Sequence, residues 1–154
     1  ASGGFADSRG LVAALALGAD GINMGSRFMC TVESCIHQNV KEAIVAGDER
    51  GTELIFRSLH NTARVASNEV SREVVDILKK GGQFEDVKDL VAGVRGRKVF
   101  DDGDVDAGIW TVGTAMGLIN DIPTVGDLVS RMVSEAEELI SGRLAGMVAA
   151  PSLA

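Results

Sequence analysis

The chain has few of the residues on which disulfide-rich, zinc-binding or redox-active small domains depend. Among its 154 residues there are only two cysteines, two prolines and one tryptophan, and tyrosine is absent. Cys30 and Cys35 are spaced for neither a CxxC pair nor a disulfide framework, so we predict two free thiols. His37 lies close by in the sequence, but no fourth soft ligand accompanies it, and we predict no metal site.

Long apolar runs and clusters of positive charge are also missing. The longest apolar-leaning run, residues 11–17, falls far short of the roughly 20 residues that span a bilayer. The formal net charge is −7, and no basic stripe is present that could follow a phosphate backbone. We therefore predict no membrane or nucleic-acid partner. Because no secretory signal pattern occurs, we also predict a cytoplasmic location.

The chain does contain enough apolar material, 45% of its residues, for one core of ordinary domain size. No internal repeat or shift in composition marks a second domain. The chain opens on Ala-Ser-Gly-Gly, which is typical of a buried strand that ends in a turn. A strand end needs neighbours to pair with, so we expect those neighbours to belong to an upstream part of the protein.

The first 25 residues predict most of a βαβ unit. Asp7 or Ser8 can cap a helix whose apolar residues recur at helical spacing until Gly18 ends it. Residues 20–25 then resemble a short strand that ends in glycine. The order is strand end, glycine turn, helix, strand and second glycine turn.

Beyond Ser26 the pattern becomes mainly helical. We predict helices over residues 40–45, 69–80 and 84–91 and a short strand or extended segment over 53–59. We also predict a basic loop over 95–98, an acidic turn over 101–104 and a loose tail over 149–154. The clearest helix starts after Pro123-Thr124 and carries an apolar stripe to Leu144. The apolar stretch 107–119 contains three glycines, which would allow a cofactor, a substrate or another helix to approach closely.

The two glycine turns carry the chemistry of this sequence. In a parallel α/β architecture, Gly3-Gly4 and Met24-Gly25-Ser26 follow adjacent strands at one sheet edge, so their N–H groups face a common point. Glycine lets the backbone approach a phosphate, the helix N-terminus adds positive charge, and the Ser26 hydroxyl can donate a hydrogen bond. This is the usual phosphate site of a (β/α)8 barrel. The dinucleotide fingerprint GxGxxG is absent.

The segment ASGGFADSRGLVAALALGADGINMGSRF resembles the phosphate-binding segment of the nitronate monooxygenase family, formerly 2-nitropropane dioxygenases, which are FMN-dependent (β/α)8-barrel enzymes. The resemblance continues through TVES and His37, RSLHNTARVASNEVS, DAGIWTVG and the final helix. It implies an α/β fold that represents the C-terminal part of such a barrel. Residues 1–30 would form the last strands and phosphate loops, and residues 31–154 a mainly helical extension that packs on the barrel and over the active site.

The same resemblance implies roles for individual residues. The FMN phosphate would be held by two loops, one made of Ser2, Gly3 and Gly4 and the other of Met24, Gly25 and Ser26. Trp110 and Thr111 resemble the stretch that folds back over the isoalloxazine ring and touches the substrate.

The resemblance also implies a catalytic histidine on an upstream strand-loop. His37 and His60 do not match it, and we interpret them as surface or capping residues, so no catalytic residue is expected in this chain. We interpret the three arginines of the RSLHNTARVASNEVSR stretch as ion-pair partners of the many acids rather than as substrate clamps: Arg57, Arg64 and Arg72.

The implied activity is oxidation of alkyl nitronates by oxygen to a carbonyl compound and nitrite. A close subgroup of the family consists of NADH:quinone reductases, and residues 3–28 do not separate the two activities. An IMP dehydrogenase-like barrel, which binds a substrate phosphate, and an inactive fragment that lacks the histidine are further alternatives. The expected partners are a small-molecule substrate (a nitronate or a quinone, with NADH in the second case) and the missing N-terminal barrel half, and a homodimer is left open.

Overall fold

The computed structural model describes residues 1–148. Helices dominate this range: α1 (Ser8–Ala16), α2 (Ser26–Met29), α3 (Gln38–Ala46), α4 (Glu69–Lys79), α5 (Phe84–Val87), α6 (Gly93–Asp102) and α7 (Val125–Glu138). Short 3-10 turns cover Arg57–Leu59, Thr114–Leu118 and Ala145–Met147, and α7 continues as a π-helix over Leu139–Leu144. The two strands are β1 (Thr52–Ile55) and β2 (Ala63–Ala66). The expected loose tail, residues 149–154, lies outside the described residues.

The predicted βαβ-like start of the chain is confirmed in outline. The Asp7 side chain accepts a hydrogen bond from the Gly10 N–H (3.2 Å), which caps α1, and Gly18 ends the helix with φ +94°. The strand predicted over residues 20–25 is reduced to a single parallel bridge between Ser2 and Asn23. That bridge has the parallel orientation that a βαβ unit requires.

The antiparallel hairpin β1–β2 is only partly anticipated by the sequence. β1 and β2 pair in the register Thr52↔Ala66 to Ile55↔Ala63, whereas the sequence predicts a short strand or extended segment over 53–59 and no second strand. β2 escapes prediction because four residues that include Ala and Arg have little strand preference of their own. The hairpin packs against α4 and forms a core of Ile55, Val65, Val70, Val74, Leu78 and Val87.

Helix α4 confirms the helix predicted over residues 69–80, and its start is held by a capping box. The Asn68 side chain accepts from the Ser71 N–H, and the Ser71 hydroxyl accepts from the Asn68 N–H, both at 2.8 Å. The Asn68 amide also donates to the carbonyls of Val105 and Gly108 at 2.8 Å each. This residue therefore ties α4 to the segment that leads into Trp110.

The predicted basic loop over residues 95–98 is wrong, because these residues lie inside α6. Two glycines weaken the intrinsic helix preference of this segment, but Val99 is completely buried in the main core and holds the helix in place. At Gly96 a Cβ would lie 2.8 Å from the carbonyl oxygen of Ile109, so this glycine permits a close tertiary contact. The helix ends at Gly103, whose φ is +75°.

The largest core cluster joins the start of the chain to α3 and to the segment after α6. Its buried members are Ala6, Cys30, Val40, Ile44, Ala66, Val99, Trp110, Val112, Ala115, Met116 and Ile119. The predicted boundary at residue 30 stays a prediction, and this core contains residues from both sides of it. Helix α7 packs separately against α1, with Met24, Leu128 and Met132 buried together.

Only part of the apolar stripe predicted from Val125 to Leu144 packs against the rest of the described residues. Leu128, Met132 and Ala136 are buried against the rest of the chain, whereas Val129, Val133, Ile140 and Leu144 are exposed. The α-helix also ends earlier than predicted, at Glu138, where the π-helical turn begins. The other two members of the stripe, Val125 and Leu139, are half-buried.

Two buried cations fix the backbone that follows α2. Arg27, 2% exposed, donates to the Asp121 carboxylate (2.9 Å) and to the carbonyls of Asp121 (2.7 Å) and Cys30 (2.8 Å). The Lys41 ammonium, also buried, donates to the carbonyls of Thr31 and Ser34 at 2.7 Å each. A buried charge is expensive unless it is bonded, so these contacts hold the turn after α2 in one conformation.

Replacing Asp121 tests this arrangement. The hydrogen bond from Arg131, opposed by partial burial and aided by Arg27, lowers the pKa of Asp121 below its ordinary 3.8. A lowered folded-state pKa means that the carboxylate stabilises the fold above pH 3.8 and that this contribution is lost as the pH falls through the folded-state value. Because the Asp121 carboxylate is 40% exposed and therefore screened by solvent, we expect Asp121→Asn to lower the free energy of unfolding by only about 1 kcal/mol at pH 7 and by less at pH 3, measured by urea denaturation.

Asp89→Asn is the matched control, because Asp89 is exposed and makes no side-chain hydrogen bond or ion pair to residues 1–148. Its stability should follow the unmodified protein at both pH values. An equal loss for both variants at pH 7 would show that the Asp121 contacts contribute nothing specific.

Candidate phosphate-binding site

The two glycine turns lie side by side in the structure. The Asn23 N–H donates to the carbonyl of Ala1 at 2.8 Å, within the parallel bridge that pairs Ser2 with Asn23. Gly3-Gly4 directly follows Ser2 in the chain, and Met24-Gly25-Ser26 directly follows Asn23. The six residues assigned to the phosphate from sequence are therefore brought together at one edge, as a parallel pairing requires.

The glycines of both turns border open space. Gly3 and Gly4 have φ values of +94° and +80°, a region that residues with a side chain rarely adopt. A Cβ built on Gly3, Gly4 or Gly25 would meet no heavy atom within 4 Å. The absence of side chains thus leaves room beside the backbone of both turns, which fits a phosphate group.

The Ser26 hydroxyl is oriented by a residue far away in the sequence. Its Oγ accepts a hydrogen bond from the Gly113 N–H at 2.9 Å. This bond uses a lone pair of the oxygen, so the hydroxyl hydrogen stays available for an anion in front of the turns. The structure therefore holds Ser26 as a donor.

The other two glycines of the 107–119 stretch admit segments of this same chain. A Cβ at Gly108 would lie 2.6 Å from the carbonyl carbon of Arg95, and one at Gly117 would lie 2.8 Å from the Glu49 nitrogen. Of the alternatives that the sequence leaves open, close packing within the protein accounts for these two positions. Only Gly113 reaches the candidate site, through its bond to Ser26.

The N-terminus of α1 is not free to bind a phosphate, as the sequence predicts that it would be. Burial by itself would raise the pKa of Asp7, but hydrogen bonds from Arg9 and from the Gly10 N–H hold it below its ordinary value. An ionised carboxylate of this chain therefore already caps α1. Any anion between the glycine turns depends mainly on the turns themselves and on Ser26.

Met24 and the two residues assigned to the substrate occupy different environments. Met24 is buried against α7, so only its backbone can face a phosphate. Trp110 is 5% exposed in the main core, where its indole N–H donates to the Val105 carbonyl at 3.1 Å. Thr111 is exposed and lies two residues, or at most about 7 Å of chain, from Gly113. Their contact with a substrate stays a prediction.

The remaining polar candidates are placed by the structure as follows. His37 caps α3, with its Nδ1 accepting from the Asn39 N–H at 3.1 Å, and His60 is exposed. Both cysteines are free, as predicted, and burial raises the pKa of the Cys30 thiol.

No set of three or more His, Cys, Asp or Glu side chains within residues 1–148 is arranged to hold a metal ion. In the same range, every helix is too short or too polar to cross a membrane.

The interpretation of Arg57, Arg64 and Arg72 as ion-pair partners is wrong for the described part of the chain. None of the three has a carboxylate oxygen within 4.0 Å among residues 1–148. Arg64 donates to the Thr52 hydroxyl and Arg72 to the Asn68 carbonyl, which are neutral acceptors. The abundance of acids in the sequence could not reveal this, because pairing depends on which residues the fold brings together.

Residues 1–135 match the family model described as nitronate monooxygenase. The chain belongs to the nitronate monooxygenase family. It is 31% identical over 145 residues to a nitronate monooxygenase from Neurospora crassa, covering 91% of this chain and 38% of that protein. It is also 31% identical over 175 residues to (3aS,4S,5R,7aS)-5-hydroxy-7a-methyl-1-oxo-octahydro-1H-indene-4-carboxyl-CoA dehydrogenase from Rhodococcus jostii, covering 88% of this chain and 49% of that enzyme.

The chain also matches part of several longer proteins of known structure. FabK from Thermotoga maritima superposes with a TM-score of 0.88 at 32% identity, over 96% of this chain and 46% of FabK. A nitroalkane oxidase from Streptomyces ansochromogenes, 24% identical, shares the fold with a TM-score of 0.72 and is covered to 40% of its length. The chain thus spans about two-fifths to one-half of the length of each of these four proteins. This agrees with the expected C-terminal part of a (β/α)8 barrel plus a helical extension, and the family makes a flavin the expected cofactor.

A pair of alanine variants tests the conformation of the glycine turns. Gly3→Ala forces a Cβ into the left-handed region and should lower the free energy of unfolding by about 1–2 kcal/mol. Gly25→Ala should change it by less than about 0.5 kcal/mol, because Gly25 has φ −91° and open space around it. Urea denaturation measures both values. Equal stability of the two variants would contradict the strained geometry of the first turn.

Proposed function

We propose that this chain forms the phosphate-binding end of an FMN-dependent oxidoreductase that oxidises alkyl nitronates with oxygen to a carbonyl compound and nitrite. The observation that carries the proposal is the pair of adjacent glycine turns, which border open space beside a serine hydroxyl held as a donor. Such a site suits a terminal phosphate, which FMN has and riboflavin lacks. Membership of the nitronate monooxygenase family supports the choice of substrate.

In this proposal the residues of the chain bind and orient the cofactor. The backbone of residues 2–4 and 24–25 approaches the phosphate, and the Ser26 hydroxyl donates to one of its oxygens. FMN, when bound, supplies the electron-transfer chemistry. We propose that the exposed Thr111, two residues before the Gly113 N–H that orients Ser26, faces the ring and its substrate.

The chain does not supply a catalytic base in this scheme. His37 caps a helix, His60 is exposed in the hairpin connection, and the histidine that the family resemblance implies belongs to an upstream strand-loop. We propose residues 1–30 as the end of the barrel and residues 31–154 as the extension over it. Activity then requires the preceding part of the barrel. A cytoplasmic location and a homodimer stay predictions.

A second candidate is a flavin-dependent reductase or dehydrogenase, such as the NADH:quinone reductases that the resemblance gives as a close subgroup of the family. The specific observation in its favour is the similarity to the Rhodococcus jostii enzyme, whose name describes a dehydrogenase. In that case a second carrier, rather than oxygen, would exchange electrons with the flavin.

Steady-state assays on the protein as its gene encodes it separate the two candidates. We expect oxygen consumption and nitrite release with propionate 3-nitronate, and little NADH oxidation in the presence of benzoquinone. NADH oxidation without nitronate turnover would overturn the nitronate proposal and support the reductase.

Binding of FMN and riboflavin tests the role of Ser26 independently of turnover. Ser26→Ala removes one charge-assisted hydrogen bond and should weaken FMN binding about tenfold, leaving riboflavin binding unchanged. Ser26→Thr should restore FMN binding, because it keeps the hydroxyl. Quenching of flavin fluorescence measures both affinities, and an equal loss for the two flavins would contradict a contact with the phosphate.

Gly113 provides a matched pair of variants for the same measurement. Gly113→Pro deletes the N–H that orients Ser26, and the φ of −93° at this position is near the range that proline adopts. Gly113→Ala keeps the N–H, and its Cβ would lie at an ordinary contact distance, 3.5 Å, from the Ser26 Oγ. We expect Gly113→Pro to reduce the preference for FMN over riboflavin and Gly113→Ala to leave it unchanged. The opposite order would exclude an orienting role.

A further inference from the structure

We propose that the concavity between the β1–β2 hairpin and α4 binds a small phosphate ester with two or more phosphate groups, at a site separate from the glycine turns. We name this concavity the cationic pocket. It has a volume of about 530 Å³, and its charged lining residues are Arg57, Arg64, Arg72, Lys79, Glu53 and Asp76. This inference goes beyond the proposed flavin chemistry, because no lining residue of the pocket belongs to the glycine turns or to the segment around Gly113.

The four cations reach the pocket from three separate elements. Arg72 and Lys79, seven residues apart on α4, lie on one face of that helix together with Asp76. Arg64 comes from β2, where it pairs with Leu54 of β1, and Arg57 comes from the 3-10 turn that follows β1. No sequence motif brings these side chains together. Only the packing of the hairpin on α4 does so.

The positive charge of the pocket is not neutralised within the described residues. None of its four cations has a carboxylate oxygen within 4.0 Å among residues 1–148, although the chain has 22 acidic and only 15 basic residues. One of the two carboxylates, that of Glu53, already accepts a hydrogen bond from the Ser67 hydroxyl at 2.9 Å. Four cations and two carboxylates leave the pocket net positive in an acidic protein, so an anion would be attracted to it.

Two of the guanidinium groups are oriented and still have free donors. Arg64 donates to the Thr52 hydroxyl through Nη1 (2.7 Å), and Arg72 donates to the Asn68 carbonyl through Nε (3.0 Å). A guanidinium has five N–H donors, so each side chain keeps several for a second acceptor. Phosphate oxygens match this arrangement, because arginine can bind two of them at once.

Backbone strain accompanies Arg57. Phe56 and His60, which flank the 3-10 turn of Arg57, both adopt left-handed conformations with φ of +60° and +56°. For a bulky residue such as Phe56 this conformation costs on the order of 1–3 kcal/mol and is typical of residues that position a functional group. The strained turn is the part of the hairpin that brings Arg57 to the pocket.

The dimensions of the pocket favour a small polyvalent anion over a macromolecule. The cations come from the hairpin turn, from β2 and from positions along α4, so two linked phosphates could pair with more of them than a single phosphate could. Leu54 and Val75 add apolar surface for an organic group next to the phosphates. A nucleoside diphosphate combines these features, and ADP is therefore the probe that we would use.

Isothermal titration calorimetry on the protein as its gene encodes it, saturated with FMN, tests the proposal. We expect ADP and pyrophosphate to bind and adenosine not to bind detectably. Arg57→Gln and Lys79→Gln should each weaken ADP binding about tenfold. Neither side chain makes a hydrogen bond or ion pair to residues 1–148, so their thermal unfolding should be unchanged. The control is Arg97→Gln, because Arg97 is exposed on α6, outside the pocket, and should leave ADP binding unaltered.

Three results would overturn the proposal. The first is a lack of ADP and pyrophosphate binding at millimolar concentration. The second is an equal effect of Arg97→Gln, which would mean that ADP responds only to overall charge. The third is ADP binding that appears only without FMN, which would place the anion at the glycine turns instead. Because the readout is ADP affinity, these outcomes are independent of whether nitronate or NADH is the substrate.

Discussion

The candidate site depends on one parallel contact between two chain segments about 20 residues apart. The hydrogen bond from the Asn23 N–H to the Ala1 carbonyl aligns two strand ends, and the glycine turns that follow them open at the same edge. Helix α1, nine residues long, connects the two segments and returns the chain to this edge. Parallel strands need such a crossover, so the position of the candidate site and the existence of α1 are consequences of the same pairing.

Distant segments then make the site rigid. The Ser26 hydroxyl takes its orientation from Gly113, and the next residue, Arg27, is bonded to Asp121. A hydroxyl by itself can rotate, and a four-residue helix such as α2 has little stability of its own. Both become defined because the chain between Gly113 and Asp121 packs beside α2 and satisfies buried donors there. The candidate phosphate site therefore depends on residues 113–121 as well as on the two glycine turns.

The distribution of charge also depends on contacts between segments that are distant in the sequence. The chain is acidic as a whole, yet four cations gather around one cavity beside α4. A buried cation such as Lys41 is satisfied by carbonyl oxygens rather than by a carboxylate. Net charge therefore says little about local pairing, because each ion pair requires geometry that composition does not contain.

The sequence by itself determined the elements whose signals, such as helix caps and glycine turns, span only a few residues. The Asp7 cap, the left-handed glycines, helix α4 behind Asn68 and the two adjacent turns could all be predicted, because capping and backbone conformation are short-range effects. Only the tertiary structure decided that residues 95–98 are helical, that β2 exists, that Gly113 orients Ser26 and that the arginines around α4 have no ion-pair partner within residues 1–148. The physical reason is that burial, close approach and ionic pairing arise between segments far apart in the chain, and folding alone brings them into contact.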